Sequence, residues 1–194
     1  MLGKLRKLVN SIAPATVGKA LSRAGVKADY ITYTGLALAV VSPLAVELRR
    51  LWALPLLVAL SALMDVLDGA VARASGTTSR FGSYLDSMTD RVSDAFIFLA
   101  LAMAGINAYL TMMTLAFSLM ISYSRAKGEL LGIKMEGVGI IERSERLIIA
   151  FVMALLLPLG LVRVDDIIMA ALLLLSVATV VQRSVRVSSQ IRAS

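Results

Sequence analysis

The residues best suited to chemistry in this 194-residue chain lie between Asp65 and Asp90. The run reads Asp65-Val66-Leu67-Asp68-Gly69-Ala70-Val71-Ala72-Arg73, then eight residues, then Gly82, Asp86 and Asp90. On helices, Asp65 and Asp68 share one face, as do Asp86 and Asp90, because spacings of three and four put side chains one turn apart. Two antiparallel helices facing each other would gather all four carboxylates. Unscreened, such a cluster would repel itself and stay partly protonated, whereas divalent cations would bind it ionised. Carboxylate oxygens suit hard ions such as Mg²⁺ or Mn²⁺, and a chain with no Cys and no His offers no softer ligands. Gly69 and Ala72 leave room beside the first acids, and Gly82 leaves room one turn before Asp86.

The elements that must carry these acids are apolar enough to make the acids conspicuous. With 58% hydrophobic residues and a mean hydropathy of +0.82, the composition predicts an all-α integral membrane protein. Several runs approach the roughly 20 residues that span a bilayer. Six apolar segments are expected, at about Tyr30–Glu47, Leu51–Ala74, Phe81–Met103, Ala108–Leu130, Leu147–Leu161 and Ile167–Val181. They form a single domain: an interfacial segment over 1–28, a six-helix bundle over 29–183 and a tail over 184–194. The acids then fall near the loop joining the second and third segments, and ionised groups at that depth need pairing or hydration. Before the first span, Lys4, Arg6, Lys7, Lys19, Arg23 and Lys27 alternate with Leu5, Val9, Ile12, Val17 and Leu21. That pattern reads as an N-terminal amphipathic juxtamembrane helix on an anionic membrane face, and it lacks the long apolar core of a signal peptide.

Charge sets the expected orientation. An inner N-terminus leaves only Arg49, Arg50 and Arg163 outside, the rest of the twenty Lys and Arg falling in inner segments, near inner helix ends or in the acidic motif. The positive-inside rule therefore predicts a multi-pass protein of the cell membrane with both termini and the acidic site in the cytoplasm.

Two further groups of residues invite a ligand. Asp29-Tyr30-Ile31-Thr32 has the form of a helix start, with Asp29 a candidate N-cap; capping alone would account for it, and a helix N-terminus also receives anions. Arg125, Arg143 and Arg146 lie at inner ends of the fourth and fifth segments, and Gln182-Arg183 ends the sixth. Each arginine by itself reads equally as an interfacial anchor or as a partner of Glu142 or Glu145. Together, their guanidinium forks match a phosphate.

The acidic run resembles the signature of the CDP-alcohol phosphotransferase family, in which eight residues recur at fixed spacing: Asp65, Asp68, Gly69, Ala72, Arg73, Gly82, Asp86 and Asp90. The stretch Ile140-Ile141-Glu142-Arg143-Ser144-Glu145-Arg146-Leu147 and the Gln182-Arg183 ending resemble the phosphatidylinositol phosphate synthase branch, its archaeal archaetidylinositol phosphate synthases included. The likeness spans nearly the whole chain. Here Ser144 stands for a usual Pro, Lys127-Gly128 for Arg-Ala, and Ala28 for the Pro that often precedes Asp29.

The resemblance implies transfer of a phosphatidyl-type group from a CDP-lipid (CDP-diacylglycerol or CDP-archaeol) to a hydroxyl of inositol 1-phosphate, with release of CMP. It implies two divalent cations, Mg²⁺ or Mn²⁺, with Asp65 and Asp86 touching both, Asp68 one, and Asp90 completing the second site and serving as base. Asp29, Thr32, Asp68, Gly69, Ala72, Arg73, Ser79 and Gly82 become CDP-lipid residues, and Arg125, Arg143, Arg146 and Arg183 hold the acceptor phosphate. The expected partners are these substrates, the lipid bilayer and a second copy in a homodimer, with no nucleic acid. Glycerol 3-phosphate or another small alcohol is the competing acceptor. An ion-coupled transporter also keeps acids at membrane depth, but it does not require the Gly-Ala-Arg spacing or the inner arginines.

Overall fold

A computed structural model describes residues 13–193. The first part of the expected amphipathic segment, with Lys4, Arg6 and Lys7, lies outside the described residues. Those residues form seven α-helices and one short 3₁₀ turn, without a strand among them. In chain order the helices are α1 (Ala13–Arg23), α2 (Ala28–Glu47), α3 (Ala53–Ser75), α4 (Arg80–Met103), α5 (Ala108–Leu130), α6 (Arg143–Leu156) and α7 (Val162–Ala193).

Local chemistry explains the punctuation. Gly25, at φ +79°, closes α1 while the Val26 N–H reaches the Leu21 carbonyl at 3.1 Å, the bond pattern of a left-handed helix cap. Gly76, at φ +67°, ends α3 in the same way, with the Thr77 N–H on the Ala72 carbonyl at 3.1 Å. The Ser79 hydroxyl accepts the Gly82 N–H at 2.9 Å, an N-cap that starts α4. Asn107 caps α5, its Oδ1 accepting from Tyr109 and Leu110.

Each of the six expected apolar segments is a helix over most of its length, and the last two differ in extent: α6 stops at Leu156, short of Leu161, and α7 starts at Val162, ahead of Ile167. Helix α6 begins at Arg143 rather than at Leu147, because Glu142 and Glu145 build a capping box ahead of the apolar run. Helix α7 continues to Ala193, past the expected end at Val181, so the segment expected as a tail is helical through residue 193. By length and composition, α2, α3 and α7 qualify to cross a membrane. Helix α4 carries Asp86, Asp90, Arg91 and Asp94 within its length, and α6 has only 14 residues, about 21 Å of rise.

The chain divides into two compact units. The first holds the described residues through Ser42 together with Leu56–Ile97. Inside it, α2 and α3 approach closely at Gly35, where an added Cβ would stand 2.9 Å from Met64 Cβ, and the Ser61 hydroxyl donates to the Gly35 carbonyl at 2.9 Å. The second unit holds Pro43–Pro55 and the residues from Phe98 onward. There α5 packs along α7, and Ile121, Leu147, Ala150, Met153, Met169 and Leu172 are buried.

Candidate active site

The signature helices bring three of the four acids to one point. Asp65 comes from α3, and Asp86 and Asp90 come from successive turns of α4. One carboxylate oxygen from each lies within 4.8 Å of the others, and all three residues are half-buried. An all-oxygen donor set this tight fits a hard divalent cation. Asp68 is differently engaged: it is buried, and its Oδ2 accepts from the Thr32 hydroxyl at 2.6 Å. That bond ties α2 to the signature helix one turn beyond Asp65. Arg91 completes the acidic end, with Nη1 3.6 Å from Asp90 Oδ2 and donating to the Ser87 carbonyl at 2.6 Å.

These groups line a cavity of about 980 Å³ that lies wholly in the first unit. Asp29, Thr32, Asp65, Asp68, Gly69, Ala72, Arg73, Ser79, Gly82, Asp86 and Asp90 all face it. Every residue expected to hold the metals or the CDP-lipid is therefore gathered in one place. At Gly69, an added Cβ would lie 3.1 Å from Arg73 Nη1. The guanidinium folds back over the turn that carries Asp68. Six polar lining residues were not singled out as ligands from the sequence: Ser22, Lys27, Ser75, Ser83, Thr77 and Thr78. The density of hydroxyls from Ser75 to Ser79 was the available signal for the last two, and Lys27 had been read only as an interfacial charge.

The four arginines belong to the second unit. Arg125 is exposed and pairs with Glu129 at 2.9 Å. Arg143 is the first residue of α6, and Arg146, one turn on, is 2% exposed. Arg183 is 3% exposed; its Nε donates to the Val138 carbonyl at 2.9 Å and its Nη1 to the Ile121 carbonyl at 2.5 Å. Arg125, Arg146, Glu129 and Glu142 lie within electrostatic reach of Arg183. The fold thus brings Arg125 and Arg146 near Arg183, with Glu129 and Glu142 interleaved. Part of Arg183 serves the backbone.

Residues 26–182 match the model of the CDP-alcohol phosphatidyltransferase family. The chain is 38% identical over 156 residues to the archaetidylinositol phosphate synthase of Pyrococcus horikoshii, covering 80% of this chain and 82% of that protein. It is 38% identical over 173 residues to the phosphatidylinositol phosphate synthase of Mycolicibacterium smegmatis, covering 85% and 78%. Its fold is similar to the Mycobacterium tuberculosis phosphatidylinositol phosphate synthase solved with CDP-DAG bound, with a TM-score of 0.77, 33% identity and coverage of 90% and 93%. The same enzyme in complex with manganese and citrate gives a TM-score of 0.77, 33% identity and coverage of 90% and 88%.

Proposed function

Because the chain belongs to the CDP-alcohol phosphatidyltransferase family, we propose that this enzyme transfers the phosphatidyl-type group of a CDP-lipid to a hydroxyl of inositol 1-phosphate and releases CMP. The observation that carries the reading is the single cavity in which Asp65, Asp86 and Asp90 converge beside Thr32, Asp68 and Arg73. Relatives named for inositol phosphate acceptors support the choice of alcohol.

The reaction joins an acceptor oxygen to the lipid-bearing phosphorus and breaks the bond from that phosphorus to CMP. Asp65, Asp86 and Asp90, with Asp68 as a further ligand, would hold divalent cations, which when bound would supply Lewis-acid shielding of the phosphate charge. Asp90 takes the hydroxyl proton as the new bond forms. Arg73, lying over Gly69, meets donor phosphate oxygens. Asp29, Thr32, Ala72, Ser79 and Gly82 shape the cavity for the nucleotide end. Thr32 also fixes the Asp68 carboxylate by its hydrogen bond. Arg125, Arg143, Arg146 and Arg183 hold the acceptor phosphate.

The enzyme is a six-span protein of the cell membrane, with the CDP-lipid cavity on the cytoplasmic side and a homodimer as its assembly. CMP release by the purified protein with Mg²⁺ or Mn²⁺, compared across inositol phosphate, inositol and glycerol phosphate, tests the assignment. Release only with inositol phosphate supports it. Release only with glycerol phosphate keeps the donor chemistry and removes the acceptor, and no metal-dependent release with any of them removes the transferase reading.

A further inference from the structure

Two residues one turn apart on α7 hold the backbone that leads into α6. Thr179 is 0% exposed, and its Oγ1 donates to the Leu175 carbonyl at 2.8 Å while accepting from the N–H groups of Ile140 and Ile141, each at 3.2 Å. Arg183 reaches the same stretch through the Val138 carbonyl. Between these contacts stands Gly139, at φ +124°, a conformation that side-chain-bearing residues avoid. A Cβ there would lie 2.5 Å from Thr179 Cγ2. Residues 138–141 are therefore laid directly on α7, where only a glycine fits at 139, and the N–H groups of Ile140 and Ile141 end on one hydroxyl.

Ile141 immediately precedes Glu142, the N-cap of α6, and Arg143 and Arg146 occupy the first turn after it. Fixing the Ile140 and Ile141 amides fixes where that helix begins and where both guanidinium groups emanate. With one bond donated and two accepted, the Thr179 hydroxyl is saturated, so it has no capacity left for a ligand. We propose that Thr179, opposed by Gly139, is a positioning residue of the acceptor site, acting through Arg143 and Arg146. The proposal rests on the inositol phosphate reading above.

Removing the hydroxyl leaves the Ile140 and Ile141 amides, the second of them at a buried residue, without their acceptor, and such a loss is large enough to shift the entry to α6. The test uses the full-length protein in lipid nanodiscs, as wild type, Thr179→Val and Thr179→Ser. Thr179→Val is expected to raise the KM for inositol phosphate by about tenfold, to leave the KM for CDP-lipid near the wild-type value, and to speed amide hydrogen exchange at 140–143. Thr179→Ser, which keeps the oxygen, restores both readouts. Gly139→Ala presses on the same stretch with the hydroxyl intact and is expected to act in the same direction, so the test survives a Thr179→Val protein that fails to fold. Faster exchange with an unchanged acceptor KM overturns the proposal, and so does a parallel loss for both substrates that serine does not rescue. A wild type that releases CMP with no phosphorylated acceptor overturns the reading beneath it; that failure is seen in the wild-type series, apart from any effect of the variants.

Discussion

Asp90 is proposed to do two things in one place, since its carboxylate lies among the clustered acidic oxygens and beside Arg91 at 3.6 Å. Replacing it by asparagine keeps the shape and removes the proton acceptor. Asp90→Asn is expected to lower CMP release by about 10²–10⁴-fold, the usual weight of a general base, while circular dichroism and detergent melting stay near wild type. Turnover within a few-fold of wild type would remove Asp90 as the base. Asp68 tests a different idea, because Thr32 rather than the other three acids holds its Oδ2. Thr32→Val should leave that buried carboxylate one bond short, a loss of about 1–3 kcal/mol. The expected outcome is a KM for CDP-lipid raised about tenfold, with Thr32→Ser close to wild type. A Thr32→Val enzyme with unchanged donor KM would mean that the 2.6 Å bond has no part in donor binding.

Between elements, the tightest fit in the first unit joins α1 to the signature helix. Gly18 is buried while its neighbours on α1 are exposed, and a Cβ on it would lie 2.8 Å from the Ala70 carbonyl carbon. Ala70 sits between Gly69 and the turn bearing Arg73, and the chain after α1 passes through Ser22, Gly25 and Lys27 along the cavity wall. Gly18→Val should therefore push α1 off α3 and loosen that wall, costing about 1–3 kcal/mol as an overpacked contact does. A lowered melting temperature together with a raised CDP-lipid KM is the expected result; a melting temperature at the wild-type value would show that α1 yields freely. Such contacts explain which parts of the structure were legible in the sequence. The acids could be read because 65, 68, 86 and 90 follow helical spacing against an apolar background, and both the three-acid cluster and the shared cavity follow from it. The apolar runs located the helices, but hydropathy is blind to a helix that continues after it turns polar, as α7 does beyond Gln182. It is equally blind to a cap that starts one early, as Glu142 does for α6. The bonds from Ile140 and Ile141 to Thr179 span 39 and 38 positions and leave no local pattern. Arg183 looked like a phosphate ligand by residue type, while its two carbonyl bonds arise only from the packing of α7 against α5 and against the stretch that leads into α6.

At the scale of the whole molecule, binding at the acidic cluster and stability of the chain are linked. Asp65 lies on α3 and Asp86 and Asp90 on α4, so any ion they share joins two consecutive helices whose covalent link is the short loop at Gly76. A ligand that binds the folded state alone stabilises it by mass action, about 2.7 kcal/mol at a hundredfold excess over Kd. Chelation followed by titration with Mn²⁺ or Mg²⁺ should therefore raise the melting temperature of the detergent-solubilised protein with no substrate present. The shift should saturate over the same concentration range that restores CMP release. Asp65→Asn and Asp86→Asn are expected to lose the shift, because each withdraws a carboxylate from the cluster. They should melt no lower than wild type in chelator, since removing one of several repelling acids relieves charge when no cation is bound. Asp165→Asn is the control on the other unit: it also removes a buried carboxylate, yet lies outside the cluster, and it should keep the full cation-dependent shift. Loss of the shift in the Asp165 variant, or its retention after Asp65→Asn, would place the stabilising ion somewhere other than between α3 and α4.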